Sequence, residues 1–248
     1  MENGNSYRHI LKWGDKREEV ISHHMAEVIK EKFGLSDADL KGKHLPGTEP
    51  VRLAKPSALK PAQLEHLQGI CGNENVLTDD LSRARFSCGK FYGELLDLRL
   101  GLVPDPPDAV VAPRIPEEVE RIIRFCNAEK IPVVPAGGLS SVTGANRAPL
   151  GGIVLDVTKH LNRVLAINRV NKTVTVQAGI YGPALEEELN RLGYSCGHFP
   201  QSFEYSTVGG WISAKGAGQA STGYGKIEDM VVALKAVTPA GVIETKDY

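Results

Sequence analysis

The sequence predicts an α+β fold on three observations. Residues 109–134 read as a β-α-β unit that runs straight into a glycine-rich loop. Two later stretches, 163–179 and 230–245, alternate in the manner of hairpins. Upstream of residue 108 the chain is helical and irregular, so strands concentrate in the second part. Two regions follow: a mainly helical N-terminal region, 1–107, and a strand-bearing domain, 108–248.

In chain order, "DKREEVISHHMAEVIKEKFG" places Val20, Ile21, Met25, Val28 and Ile29 at helical spacing, with Asp15 as N-cap and Gly34 as stop. "KPAQLEHLQGICG" is a second helix that stops at Gly72. A short strand, Ala109 to Ala112, leads to a helix opening at Pro116, whose buried stripe is Val119, Ile122, Ile123 and Cys126. A strand from Ile131 to Val134 follows, parallel to the first. "GGIVLDV" is another strand, and "RVLAINRVNKTVTVQAG" is a hairpin turning at Asn171-Lys172. "GPALEEELNRLGY" is a helix with Leu185 and Leu189 inward and Gly193 at its end, and "MVVALKAVTPAGVIET" is a hairpin turning at Pro239-Ala240-Gly241.

Bulk composition narrows the partners. Lys+Arg is 29 against Asp+Glu 30, so no basic excess points to nucleic acid or a membrane surface. No apolar run approaches the roughly 20 residues of a membrane helix, and the N-terminus lacks a signal-peptide core. Cys71, Cys88, Cys126 and Cys196 form no C-x-x-C pair, which excludes a zinc ribbon or iron–sulfur ligand set. Scattered thiols suit a reducing cytosol, and the expected location is cytoplasmic.

Most of the glycine lies after Gly137, which puts ligand-approaching loops in the second part. "PAGGLSSVTGA", residues 135–145, follows the apolar run "IPVVP" and carries no charge. The pattern G-x-x-x-x-G-K-[ST] is absent, and so is G-x-G-x-x-G; "GAGQAS" from Gly216 ends in serine and follows no strand. Two readings of 135–145 remain: a phosphate cradle built on Gly137-Gly138 with Ser140 and Ser141 as donors, or a tight surface turn. A second segment, "GHFPQSFEYSTVGGWISAKGAGQASTGYGKIEDM" at 197–230, mixes seven glycines and several hydroxyls with Phe199, Phe203, Tyr205, Trp211 and Tyr224. That mixture suits a long loop around a large, flat, phosphorylated ligand rather than a disordered linker. Thr207 fits as N-cap of a short helix beginning at Val208, whose first amides would face an anion.

Together, "P-x-G-G-x-S-S", "GHFPQSFEYSTVGGW", "AGQAS..YGKIEDM" and "VTPAGVIE" resemble the FAD-binding oxidoreductases of the vanillyl-alcohol-oxidase/PCMH superfamily. The similarity is greatest to the alkyldihydroxyacetonephosphate-synthase-like branch, and "WGDKREE" and "FYGELLDLRLGLVPDPPDAVVAPR" extend it over nearly the whole chain. The resemblance implies a PCMH-type domain of two α+β subdomains with FAD between them. It implies that Pro135, Ala136, Gly137, Gly138, Leu139, Ser140, Ser141 and Gly144 hold the pyrophosphate. Gln201 to Thr207, Ser202 and Ser206 among them, with Ala214, Lys215, Gly216 and Ala217, would line the flavin and ribityl chain. Pro200, Gly209, Gly210, Ser221, Tyr224 and Ile227 join the same cofactor surface.

The chain departs from the family at Leu139, where a third glycine is usual; its Cβ either crowds the phosphate or points away. No histidine occupies the loop, so the expected FAD is non-covalent. The chain stops at Tyr248, whereas the family is longer and carries a cap domain with substrate-binding and catalytic residues. The expectation is a fragment, a split-gene subunit, or a partner chain that completes the site, and no catalytic residue is assigned. The implied substrate is a small molecule: a 2-hydroxy acid, or an acyl-dihydroxyacetone phosphate as in ether-lipid synthesis. A non-catalytic FAD-binding subunit of an electron-transfer complex is the other class.

Single residues are read conservatively. His198 is a hydrogen-bonded histidine inside a packed loop ahead of a proton shuttle. Trp211 is core packing. Glu186-Glu187-Glu188 is a solvated helix face, and His23-His24 are surface. Glu228-Asp229 either pair with an amide or the adenine ribose or cap the strand that follows.

Overall fold

The computed structural model describes residues 10–13, 21–41, 47 and 50–245. The chain forms two compact units, Met1–Pro50 and Val51–Tyr248. In the first, helix α1 (His23–Phe33) is capped by Ser22, whose hydroxyl accepts from Met25 N, and closes on Gly34 in the left-handed region. Asp15 and Val20 lie outside the described residues. Helix α2 (Asp37–Leu40) follows, with Asp39 accepting from the Ser36 backbone N–H at 2.8 Å.

In the second unit, α3 (Pro61–Cys71) opens on proline and stops at Gly72 as the sequence predicts. Strand β1 (Val76–Leu77), helices α4 (Asp80–Arg85) and α5 (Tyr92–Arg99), and strand β2 (Ala109–Val111) come next. Helix α6 (Pro116–Glu129) has Pro116 at its first position and Glu117 and Glu118 in its first turn, where carboxylates favour the positive helix end. It buries Ile122 and Cys126, with Val119 and Ile123 partly covered. Strand β3 (Val133–Ala136) starts two residues later than predicted and ends at the glycine loop.

Strand β4 (Ile153–Asp156) completes a four-stranded sheet in the order β1-β2-β4-β3. The three later strands are parallel, but β2 and β3 do not touch: β4 inserts between them, Val110 and Val134 both facing Val154 in register. β4 is buried along its whole length, as a parallel strand covered on both faces requires. β3 is an edge strand, which accommodates Pro135. Leu67, Ile70 and Cys71 of α3, Ile122 and Cys126 of α6, and Ala109, Val111, Ile153 and Leu155 of the sheet share one core. β1 pairs antiparallel with β2, so residues upstream of 108 contribute to the same sheet.

A second core lies under the hairpin of β5 (Val164–Asn168) and β6 (Thr173–Val176), which turns with Lys172 at φ +54°. Helices α7 (Gly182–Asn190), α8 (Val208–Ala214), α9 (Ser221–Tyr224) and α10 (Ile227–Met230) follow. Leu185, Leu189, Val208, Trp211 and Ile227 fill this core. The two cores, each serving strands and helices, are the two α+β parts of the fold. Strands β7 (Lys235–Thr238) and β8 (Gly241–Glu244) form the last hairpin.

Two local expectations change. α7 ends at Asn190, three residues before Gly193, with Arg191 as cap. Glu186 is buried rather than solvated: its carboxylate accepts from Cys196 N at 2.7 Å, fastening the start of the second glycine segment to α7. Glu187 and Glu188 are the wet face, paired with Arg191.

Candidate functional site

The glycine loop leaves the carboxyl end of β3, at the edge where ligands of parallel sheets bind. Its two glycines are dictated by protein, not by space for a ligand. A β-carbon on Gly138 would fall on the carbonyl oxygen of Tyr205, and one on Gly137 would fall on the Thr207 hydroxyl. The loop is thus interlocked with residues 205–207 of the second segment by backbone approach that only glycine allows.

The far end of the loop is fastened to a residue pair that the sequence does not single out. Ser141 O accepts from Lys90 N at 2.6 Å, and Gly89 packs so closely on that carbonyl that a β-carbon has no room. Burial lowers the Lys90 ammonium to about 8. Ser141 Oγ turns inward and accepts from Thr143 N and Ala145 N, at 3.2 and 3.4 Å. Gly144, at φ +75°, makes the following turn.

Between these anchors, the backbone N–H groups of Gly137, Gly138, Leu139, Ser140, Ser141 and Val142 meet no acceptor among the described residues. Six consecutive donors with no protein acceptor are open to water or to a ligand. Leu139 sits at φ +52°, the left-handed conformation that anion-binding turns of successive amides use.

The second segment is built differently. Thr207 caps α8 as the sequence predicts, its hydroxyl accepting from Gly210 N. The expectation that α8 points amides at an anion is corrected: Val208 N donates to Ile180 O and Gly209 N to Ala178 O. The turn at 178–180 lies against the helix start and takes both donors. Trp211 is buried and its indole N–H donates to Ser206 Oγ at 2.6 Å, while that hydroxyl donates to Ser202 O. Gly218 N donates to Ser221 Oγ, Gln219 N to Phe199 O, and Ile227 N to Gly216 O. Asp229 accepts from Lys226 N, so it caps α10 rather than the strand that follows.

His198 is 1% exposed, and neither ring nitrogen has a hydrogen-bond partner. It is packed against the Trp211 ring, centroids 4.9 Å apart, instead of being hydrogen-bonded as expected. Burial holds its pKa below the ordinary value, so the ring is a neutral packing element.

Of the residues proposed from sequence, Ala136, Ser206, Thr207 and Ile227 are buried. Pro135, Gln201, Gly210, Ala214, Lys215, Ala217 and Tyr224 are exposed. Gly137, Gly138, Leu139, Ser140, Ser141, Gly144, Pro200, Ser202, Gly209, Gly216 and Ser221 are half-buried. The interlock brings Gly137 and Gly138 onto residues 205–207, whereas Gly216, Ser221 and Ile227 pack within the second segment and the Tyr224 ring covers Gly197. Among the described residues, no helix is long and apolar enough to cross a membrane.

A family model described as an FAD binding domain matches residues 107–246. The alkyldihydroxyacetonephosphate synthase of Trypanosoma brucei brucei is 32% identical over 229 residues, covering 90% of this chain and 37% of that protein. A glycolate oxidase subunit of Bacillus subtilis strain 168 is 35% identical over 137 residues, covering 55% of this chain and 29% of that one. A solved structure of alkyldihydroxyacetonephosphate synthase superposes with a TM-score of 0.86 at 29% identity, covering 97% of this chain and 49% of that one. The chain spans about a third of the length of these curated relatives and half of that solved structure. The matched region is more than half of the chain, opens just before β2 and contains both glycine segments. The cofactor is therefore FAD, and the chain belongs to the FAD binding domain family, in the PCMH-type superfamily, with its similarity in the alkyldihydroxyacetonephosphate-synthase-like branch.

Proposed function

We propose that the amides of Gly137 to Val142 hold the diphosphate of FAD. The observation that carries this reading is the row of six donors without an acceptor, held in place from both ends. An anion there would satisfy groups that the protein itself leaves open. Pro135 and Gly144 flank this cradle. Gln201, Ser202, Gly210, Ala214 to Ala217 and Tyr224 offer the accessible surface for the flavin and ribityl end. Ser206, Thr207 and Ile227 act beneath that surface, fixing its backbone. FAD supplies hydride or electron exchange at its flavin; the chain binds and orients it and keeps water from the diphosphate. No histidine lies in the 135–145 loop, in keeping with non-covalent binding.

The reading extends to an FAD-dependent oxidoreductase, or the FAD-binding part of one, acting on a hydroxy-acid-like or glycerone-phosphate-like substrate. The similarity to a glycolate oxidase subunit favours the first substrate class, and the alkyldihydroxyacetonephosphate synthases favour ether-lipid transfer. Residues 108–248 are the cofactor domain in this reading, with 1–107 preceding it. A cap domain, on a partner chain or further polypeptide, would supply the substrate-binding and catalytic groups; a non-catalytic subunit is the corresponding alternative. A cytoplasmic location accords with four free cysteines.

The test is the visible absorption of the purified chain before and after acid precipitation. Flavin bands that move to the supernatant are the expected result. A chain that stays colourless when incubated with excess FAD sinks the reading.

A further inference from the structure

Four non-glycine residues among those described have positive φ: Lys130, Leu139, Lys172 and Lys215. Lys130 and Lys215 end helices α6 and α8, and Lys172 turns the β5–β6 hairpin, all ordinary places for this conformation. Leu139 is in none of them. It lies at the centre of the six unbonded amides, and a branched apolar residue pays more for the left-handed region than glycine or asparagine does. The anchors on either side leave only Leu139 and Ser140 free to change. Gly137 and Gly138 are locked against Thr207 and Tyr205, and Ser141 is held by Lys90 N.

We propose that Leu139 attenuates the affinity of this loop for the FAD diphosphate. The conformation that gathers the amides requires a left-handed residue at 139, and the leucine Cβ penalises it where glycine would not. When no anion is bound, the turn can relax by leaving that conformation; binding restores it at the expense of affinity. This rests on the proposed reading of Gly137–Val142 as the diphosphate cradle. Leu139 is a positioning residue: it acts through the amides on either side of it.

The test is a substitution series in the full chain, Leu139→Gly, Leu139→Asn and Leu139→Ala, titrated calorimetrically with FAD, with riboflavin, and with inorganic pyrophosphate. Leu139→Gly binds FAD and pyrophosphate about fivefold more tightly than wild type, after allowance for the extra chain entropy of glycine. Leu139→Asn falls between, and Leu139→Ala, which keeps the Cβ, stays within twofold of wild type. Riboflavin, which lacks the diphosphate, shows no such order. The proposal is overturned if Gly binds FAD no more than twofold tighter, if Ala tightens as much as Gly, or if riboflavin follows the same order. If wild type binds FAD and the series is flat, only the role of Leu139 fails. If no variant binds FAD or pyrophosphate, the cradle itself fails and the Leu139 proposal with it. Binding by Leu139→Gly alone supports both.

Discussion

The two glycine-rich segments differ in how their backbone N–H groups are arranged. In 135–145, Gly138 lets backbone press on backbone and Gly137 meets the Thr207 hydroxyl, and the six amides of Gly137 to Val142 are left without acceptors among the described residues. In 197–230, glycine also permits close approach, Gly209 on Ala178 and Gly218 on Phe199, and the amides of Gly209, Gly218, Gln219 and Ile227 bond to carbonyls and hydroxyls of the same unit, leaving unbonded donors only singly or in pairs among the described residues. The first segment presents its donors in one unbroken row; the second spends those of Gly209, Gly218, Gln219 and Ile227 on its own scaffold. Glycine content marks a place where backbones come close; only the fate of the N–H groups tells whether a ligand is expected.

The comparison breaks most completely at Gly138. Gly138→Ala drives a β-carbon into the Tyr205 carbonyl, backbone against backbone, with nothing flexible to yield. It is expected to cost about 3 kcal/mol and to abolish FAD binding; urea denaturation and flavin absorbance measure the two effects. Gly209→Ala meets the Ala178 side chain at 2.7 Å and separates the roles. A stability loss of about 2 kcal/mol, with FAD binding retained by the folded fraction in a calorimetric titration, marks the second segment as scaffold. Equal loss of both properties would erase the distinction.

Acid sharpens the contrast further. His198 is buried beside Trp211 with its pKa lowered, so the unfolded chain takes up this proton at a higher pH than the folded one. Stability is therefore unaffected by His198 above its ordinary 6.5 and falls as pH drops below that value. His160, also lowered by burial, adds to the same acid loss. Denaturation midpoints at pH 7.5 and 5.5 should show the decline, and His198→Leu should remove part of it. The smallest effect is expected at Ser141→Ala. Its hydroxyl accepts two long bonds from exposed amides that water can replace, so the change should stay within about 0.5 kcal/mol, with FAD affinity within twofold of wild type.

Much of the fold was legible because local chemistry and tertiary context agree. Gly34 and Gly72 end helices, Pro116 opens one, and Asn171-Lys172 turns a hairpin. Thr207 could be read as an N-cap from "STVGGW" alone. What misled is equally physical. Glu186 belongs to a run of three glutamates, and nothing local distinguishes the one that reaches the Cys196 amide. The first amides of α8 looked available until the turn at 178–180 was found against them. Gly89 and Lys90 gave no signal because their role comes from packing on a loop fifty residues away.

By itself the sequence determined the punctuation of the chain, the period of its strands and helices, and a set of motifs specific enough to place it among FAD-binding domains. These depend on residues close in sequence, or on segments long enough to be distinctive. Tertiary structure alone decided that β4 separates β2 from β3, that the two glycine segments interlock, and that only the first carries six unbonded amides in a row among the described residues. It also decided that Leu139 adopts the left-handed conformation. Each depends on which backbone atoms meet across dozens of residues, and hydrogen-bond satisfaction is a property of that meeting rather than of any residue type.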